Sequence, residues 1–381
     1  MRCRVMPALV ALSLAIAMST AAPATELLNT TKEILHDLKM APSVLDGLDE
    51  ELAVPADWSE KARQEGKLRV YGTWDVPEYT AYSKPFRERY PFIDIAYTRA
   101  TRQDRSMRPL IALREGRVVV DVISGIGSNI FAFREQDALM KLDELPGFKA
   151  TLTDLKDPDG LWVGHQLNYW CTSYNTKKVK AEDLPKAWDD FLDSSKWGKG
   201  RIGMGNRPNL WLLPLADVKG QAWADQFARD LFAKNRPQLR KEGMNAMINL
   251  VIIGEIDIAI PSAQYRLGEL KEKGAPIAWH CPDPVPTAVQ IVGAIKQTPN
   301  PHAAKIYVNW LLSREGQLAQ FAAMEGAPSH AALQSPDFIT FAAQLAGKKK
   351  AFRSPNMVEE DWPELLANWD KIWQGAGGSA R

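Results

Sequence analysis

The chain has 381 residues, 45% of them hydrophobic and 24% charged, with a formal net charge of +1. That length exceeds one small domain and suits two lobes or a single large α/β unit. The near-neutral balance excludes a dedicated nucleic-acid binder, which needs a basic surface.

Arg2 and Arg4 precede an apolar run from Pro7 to Met18, and Ala22-Pro23-Ala24 fits the small-x-small rule for cleavage before Thr25. This is the layout of a secretory signal peptide over residues 1–24. The run is shorter than the ~18 residues of a spanning helix. Cys3 precedes the apolar core and is no lipoprotein acceptor. Cleavage removes two positive charges and leaves Cys171 and Cys281, too few for a disulfide framework. The expectation is a soluble periplasmic protein.

Residues 25–64 read as a helical extension packed on the first lobe, with Leu35, Leu38 and Val44 apolar and Pro42 and Pro55 as punctuation. An α/β rhythm follows. Leu68–Tyr71 is a short apolar strand, and 77–90 is a helix with Tyr79, Tyr82, Phe86 and Tyr90 on one face. Ile93–Tyr97 is a strand, 103–115 a helix and Val118–Ile123 a third strand. This alternation predicts a parallel sheet with right-handed crossovers. Leu161–Ser173 breaks the rhythm as a long aromatic strand with no helix after it. A second rhythm runs from Arg201–Met204 through Ile252–Ile260 and Pro276–His280, then past the Pro-rich 281–286 to Val289–Ile295 and a helix over 301–321. Over 362–373, Trp362, Leu365, Leu366, Trp369, Ile372 and Trp373 keep helical spacing, which marks a core-facing stripe.

Several segments carry a resemblance. Ser59–Gly72 (SEKARQEGKLRVYG) looks like an opening helix and first strand, and Gly116–Ser124 (GRVVVDVIS) like a third strand and ligand loop. Tyr174–Trp197 (YNTKKVKAEDLPKAWDDFLDSSKW) is the most specific piece, and Gly254–Ile260 and Pro299–Gly316 complete the set. Together they resemble the iron(III)-type group of periplasmic ABC-transporter substrate-binding proteins, over roughly Ser59 to His330. The resemblance implies an α/β, two-lobed periplasmic-binding-protein (type II) clamshell with two crossover strands, near Gly164–Ser173 and Trp279–Ala288. Lobe 1 would then comprise 65–165 plus 288–381 with the C-terminal helices, and lobe 2 would comprise 166–287. The partners implied are a small-molecule ligand and an ABC permease in the inner membrane, with the protein a monomer that needs no cofactor.

Ligands of open α/β sheets sit beyond the carboxyl ends of strands. The candidates in the first lobe are Thr73, Trp74 and Asp75, then Arg99–Arg102, then Ser124, Gly125, Gly127 and Ser128. The second lobe offers Asn206, Arg207 and Asn209, then Ser262, Gln264 and Tyr265, with Thr287 from the second crossover. Gly125-Ile126-Gly127-Ser128 reads either as a tight turn or as backbone N–H groups offered to an anion. Trp74 reads as core or as a stacking surface, and Arg207 as a surface charge or a bidentate anion clamp. The five histidines, His36, His165, His280, His302 and His330, lack metal-ligand spacing and read as structural or solvated. Cys171 and Cys281 each fall on or beside a crossover strand, which makes a disulfide between them a hypothesis.

Iron-binding members of the family carry two adjacent tyrosines after a second-lobe strand. Here that place reads Pro261-Ser262-Ala263-Gln264-Tyr265-Arg266, with one tyrosine. Fe³⁺ prefers several anionic oxygen ligands. The first reading is therefore a small organic anion, and the alternative is ferric iron. An enzyme is not expected, since no G-x-S-x-G or H-E-x-x-H motif occurs. A secreted enzyme with a spatial triad and a ligand-sensing receptor subunit remain as alternatives of other classes.

Overall fold

The computed structural model describes residues 27–264, 267–338, 342–353 and 362–378. The expected signal peptide lies outside them. The strands are β1 (Lys67–Gly72), β2 (Asp94–Arg99), β3 (Val122–Ser124), β4 (Val163–Asn175), β5 (Ile202–Gly205), β6 (Gln238–Arg240), β7 (Ile258–Ala263), β8 (Ile277–His280), β9 (Val285–Ala294) and β10 (Lys350–Arg353). They follow the order β2-β1-β3-β9-β4-β7-β5-β6, with β10 paired to β9 and β8 to β4.

β1 lies parallel to β2 and β3, as the strand–helix–strand rhythm requires. β5 lies parallel to β6 and β7 in the other half of the sheet. Two long strands join the halves. β4 runs antiparallel to β9 from Val163↔Val292 to Tyr169↔Thr287, then antiparallel to β7 from Trp170↔Ala263 onward. β9 in turn pairs with β3 in the first half. Twelve of the thirteen β4 residues are buried. The strand's length, its aromatic residues and the absence of a following helix made it stand out in the sequence, although His165, Gln166, Asn168, Thr172, Ser173 and Asn175 are polar.

Four sequence expectations shift in the structure. The third strand begins at Val122 rather than Val118. The apolar run Ile252–Ile260 is divided: Ile252 and Ile253 end the helix Met244–Ile253, Gly254 stops it at φ +80°, and β7 starts at Ile258. A short apolar run does not separate a helix end from a strand by periodicity, whereas a left-handed glycine does. The helix expected over 301–321 is two, Pro301–Leu312 and Arg314–Met324, broken at Ser313, whose side chain accepts from the Gly316 N–H. Trp279 belongs to β8, so the second crossover is β9 and includes Val285 and Pro286.

Each half has its own aromatic core. Tyr82, Phe86, Tyr307 and Trp310 centre the first. Trp188, Trp197, Trp211 and Phe227 centre the second, together with Leu365, Trp369 and Trp373 of the helix Trp362–Gly375. The tryptophan stripe is thus core, but it covers the second half, whereas the sequence grouped 288–381 with the first lobe. Helical spacing says that a face is buried, not which body buries it.

The N-terminal extension is the helices Asn29–Asp37, Leu48–Leu52 and Ala56–Glu65. Leu35, Leu45 and Leu48 pack on Leu318 and Leu333. The buried Glu315 ties it down, accepting from Thr31 Oγ1 at 2.7 Å, Arg89 Nη2 at 2.7 Å and Nε at 3.0 Å, and Trp310 Nε1 at 2.9 Å. Removing one partner of a buried ion pair leaves an uncompensated charge. Glu315→Ala should lower unfolding stability by about 3–5 kcal/mol, measured by urea denaturation; a loss under about 1 kcal/mol would show that the anchor is dispensable.

Cys171 on β4 and Cys281, just after β8, form a disulfide with their Cα atoms 4.9 Å apart. Both are fully buried. Alkylation of the native protein should therefore add no mass, while reduction under denaturing conditions should release two labelled thiols. Two thiols reactive without reductant would contradict the bond.

Candidate functional site

At the carboxyl ends of β1 and β2 the chain forms an open polar cavity of ≈ 240 Å³. Thr73, Trp74 and Asp75 enter it from the loop after β1, Glu78 from the following helix and Arg99 from the end of β2. The floor is the pair of joining strands, with Gln166, Asn168 and Trp170 from β4 and Gln290 from β9.

Local geometry explains how the first group is held. Asp75 caps the helix Val76–Tyr82 in a capping box with Glu78, whose Oε2 accepts from the Asp75 N–H at 3.0 Å. Arg99 Nη1 sits 3.1 Å from Asp75 Oδ1. Two carboxylates and one guanidinium therefore face the cavity. Trp74 is 6% exposed, packed between Tyr82 and His165, each 5.4 Å away by ring centres. It is at once core and cavity wall.

The amide floor was not singled out in the sequence. Its signal was present, because Gln166, Asn168 and Trp170 alternate along a strand and so share one face. Polar residues at that period on one face of a buried strand line the cavity here. Asn168 is 6% exposed and its Oδ1 has no hydrogen-bond partner among the described residues.

The Gly125 loop stands behind this wall. Gly125 has φ +70°, and a Cβ there would meet Thr73 Cγ2 at 2.7 Å and Gln290 Oε1 at 3.0 Å. Glycine is required both by the backbone and by the close approach. Its N–H donates to Ile291 O at 2.8 Å, so that amide is committed to β9 rather than offered to an anion. Gly127 also has positive φ, at +59°. The side chain of Ser128 lies outside the described residues.

Other candidates are placed elsewhere. Ser124 is buried with Oγ 2.8 Å from His165 Nε2, and His165 Nδ1 is 2.9 Å from Gln320 Oε1. Thr287 is buried and donates to Val285 O. Gln264 follows β7, and its Oε1 accepts the Tyr169 N–H at 3.0 Å. Tyr265 lies outside the described residues. Asn206, Arg207 and Asn209 follow β5, where Arg207 is exposed and N-caps the helix Pro208–Lys219. None of these lines the cavity. Of the remaining histidines, three serve structural bonds, His280 with Pro185 O and Gln344, His302 with Glu65, and His330 with the Ala332 N–H, while His36 is exposed beside Asp37.

Burial pulls the His165 imidazole down to about 4, partly opposed by its hydrogen bond to Gln320. The unfolded chain takes up this proton near pH 6.5, while the folded chain does so only near 4, so stability falls as pH drops through that window. The loss attributable to His165 between pH 7 and pH 4 is on the order of 3 kcal/mol. His165→Gln should flatten the stability–pH profile between pH 6.5 and 4; an unchanged slope would show that another group carries it.

Comparison with known proteins adds the following. The model of the bacterial extracellular solute-binding protein family matches residues 119–343. Iron uptake protein A1 of Synechocystis sp. is 30% identical over 183 residues, 43% of this chain and 48% of that protein, so the match spans about half the relative's length. Iron-bound HitA from Pseudomonas aeruginosa superposes with a TM-score of 0.66 at 23% identity, covering 80% of this chain and 99% of its own. Trichodesmium IdiA (FutA), in complex with iron and citrate ligands, gives 0.67 at 17% identity over 81% and 99%. The ferric binding protein of Campylobacter jejuni gives 0.66 at 17% over 80% and 99%. At these identities the structural likeness shows the fold, a two-lobed periplasmic binding protein.

Proposed function

This chain belongs to the family of bacterial extracellular solute-binding proteins, and we propose that it binds ferric iron, presented as a small carboxylate chelate, and delivers it to an ABC permease. The observation that carries this reading is the convergence of Asp75, Glu78 and Arg99 on one polar cavity, with Arg99 paired to Asp75. Carboxylate oxygens suit a hard cation, and a guanidinium suits a carboxylate. Asp75 is engaged by Arg99 and Glu78 by the Asp75 N–H. A chelate that brings its own oxygens needs fewer from the protein than a bare ion does. Support also comes from the relatives, one an iron uptake protein and another seen with iron and citrate.

This departs from the organic anion that the missing tyrosine pair favoured. A chelate reconciles the two, because the chelator replaces the absent phenolate. A metal-free organic anion is the second reading, favoured by Arg99 in the cavity and the exposed Arg207 after β5.

The mechanism is binding without catalysis. Export by the leader at 1–24 places the mature chain in the periplasm. Ligand seated on the first lobe is met by the second-lobe loops after β5 and β7, and its differential affinity for the closed form shifts the population toward it. The closed form docks on the permease.

Thermal unfolding of the mature protein with Fe(III)–citrate, citrate alone and no addition tests this. A ligand at a hundredfold excess over Kd stabilises the folded state by about 2.7 kcal/mol. The expected result is stabilisation by Fe(III)–citrate only, with affinity reduced at least about tenfold in Asp75→Ala, the scale of one charge-assisted contact. Equal stabilisation by citrate alone would favour the metal-free reading, and no shift with either would reject both.

A further inference from the structure

The C-terminal helix Trp362–Gly375 touches the loop that follows β5. Trp369 is 1% exposed and sits among Trp211, Phe232 and Trp373, with ring centres 5.5–6.0 Å away. Its one polar atom, Nε1, donates to Asn206 Oδ1 at 2.7 Å. An indole has a single N–H and no acceptor, so this bond fixes which end of the Asn206 amide faces the helix. The other end, Nδ2, is buried and has no hydrogen-bond partner among the described residues. A buried donor left unpaired is costly, and such a group calls for an explanation, of which a functional role is one. Asn206 stands at the carboxyl end of β5, whose neighbour β7 leads in parallel to Gln264.

We propose that Trp369 is a positioning residue for ligand capture: it orients the Asn206 amide so that Nδ2 donates to an oxygen of the bound anion or chelate. The proposal rests on the preceding reading of the loop after β5 as part of the binding site. It gives the C-terminal helix a role in recognition as well as in packing. The ligand group it selects is an acceptor oxygen, such as a carboxylate, in place of a group that only donates.

The test is a double-mutant cycle with Fe(III)–citrate as probe, using Trp369→Phe, Asn206→Ala and the two combined. Phenylalanine keeps an aromatic ring in the cluster and removes the N–H. Each single variant should bind about tenfold more weakly, the scale of one buried hydrogen bond, and the double variant should be no weaker than Asn206→Ala alone. Wild-type affinity in Trp369→Phe, or losses that multiply, would overturn the proposal. If the wild-type protein does not bind Fe(III)–citrate, the iron reading fails, and hydrogen exchange at residues 205–210 decides separately. Faster exchange there in Trp369→Phe with an unchanged Tm supports positioning, and unchanged exchange rejects it. Should Trp369→Phe fail to fold, Asn206→Asp keeps the acceptor for the indole but replaces the free donor. Weaker binding with wild-type exchange supports the proposal, and wild-type affinity overturns it.

Discussion

The pairing of β4 with β9 is the constraint on which the molecule depends. These two strands carry the hydrogen bonds that make one sheet of two halves, and each continues beyond the other into a different set of partners. Because they are sandwiched on both faces, their side chains are mostly committed to the two cores. Where they are not, amides appear, and Gln166, Asn168 and Gln290 form the cavity floor. The strands that join the halves are therefore also the strands that floor the cavity. A contact made there acts on the junction itself, without a relay through intervening elements. The disulfide from Cys171 to Cys281 holds β4 to the end of β8, a few residues before β9 begins. It secures the second-half end of the junction and leaves the cavity end to hydrogen bonds alone.

Much of the fold was legible because period and punctuation are local. The first three strands and the helices between them could be read from apolar runs closed by Gly66, Gly72 and Gly116. The long aromatic strand announced itself by the absence of a following helix. What was illegible is tertiary. Nothing in Trp369 or Trp373 says which half they will cover, and nothing in Ile252-Ile253 says that they finish a helix. The site divides the same way. Thr73, Trp74 and Asp75, named because the loop after a first strand is a general location for ligand, do line the cavity. Ser124 and Thr287 satisfied the same rule but have hydroxyls bonded within the protein. The rule gives the end of the sheet, and side-chain partners decide who is free to act there. Gln166 and Asn168 escaped notice because a strand was read for its apolar content and not for the polar residues set at every second place.

Charge is used in two distinct ways across the molecule. Asp121 and Glu315 are fully buried and saturated by donors, Asp121 by Arg69, Thr298 and Asn300. These networks fix helices and strands to one another and present neither carboxylate to solvent. Asp75 and Arg99 are about half exposed and joined by one ion pair that stays in contact with water. The contrast follows from desolvation: a fully paired buried charge is costly to disturb, whereas a partly hydrated pair can be re-paired with a ligand at small cost.

The two ends of the described chain are attached to different bodies. The helices after residue 27 are bolted to the first half through Leu35, Leu48 and Glu315, and the helix ending at Gly375 is embedded in the second through Trp369 and Trp373. A rotation of one half against the other therefore changes the separation of the termini unless its axis passes through one of them. A pair of spectroscopic labels placed at the two ends would serve as a ruler for the opening angle, without a label anywhere near the cavity.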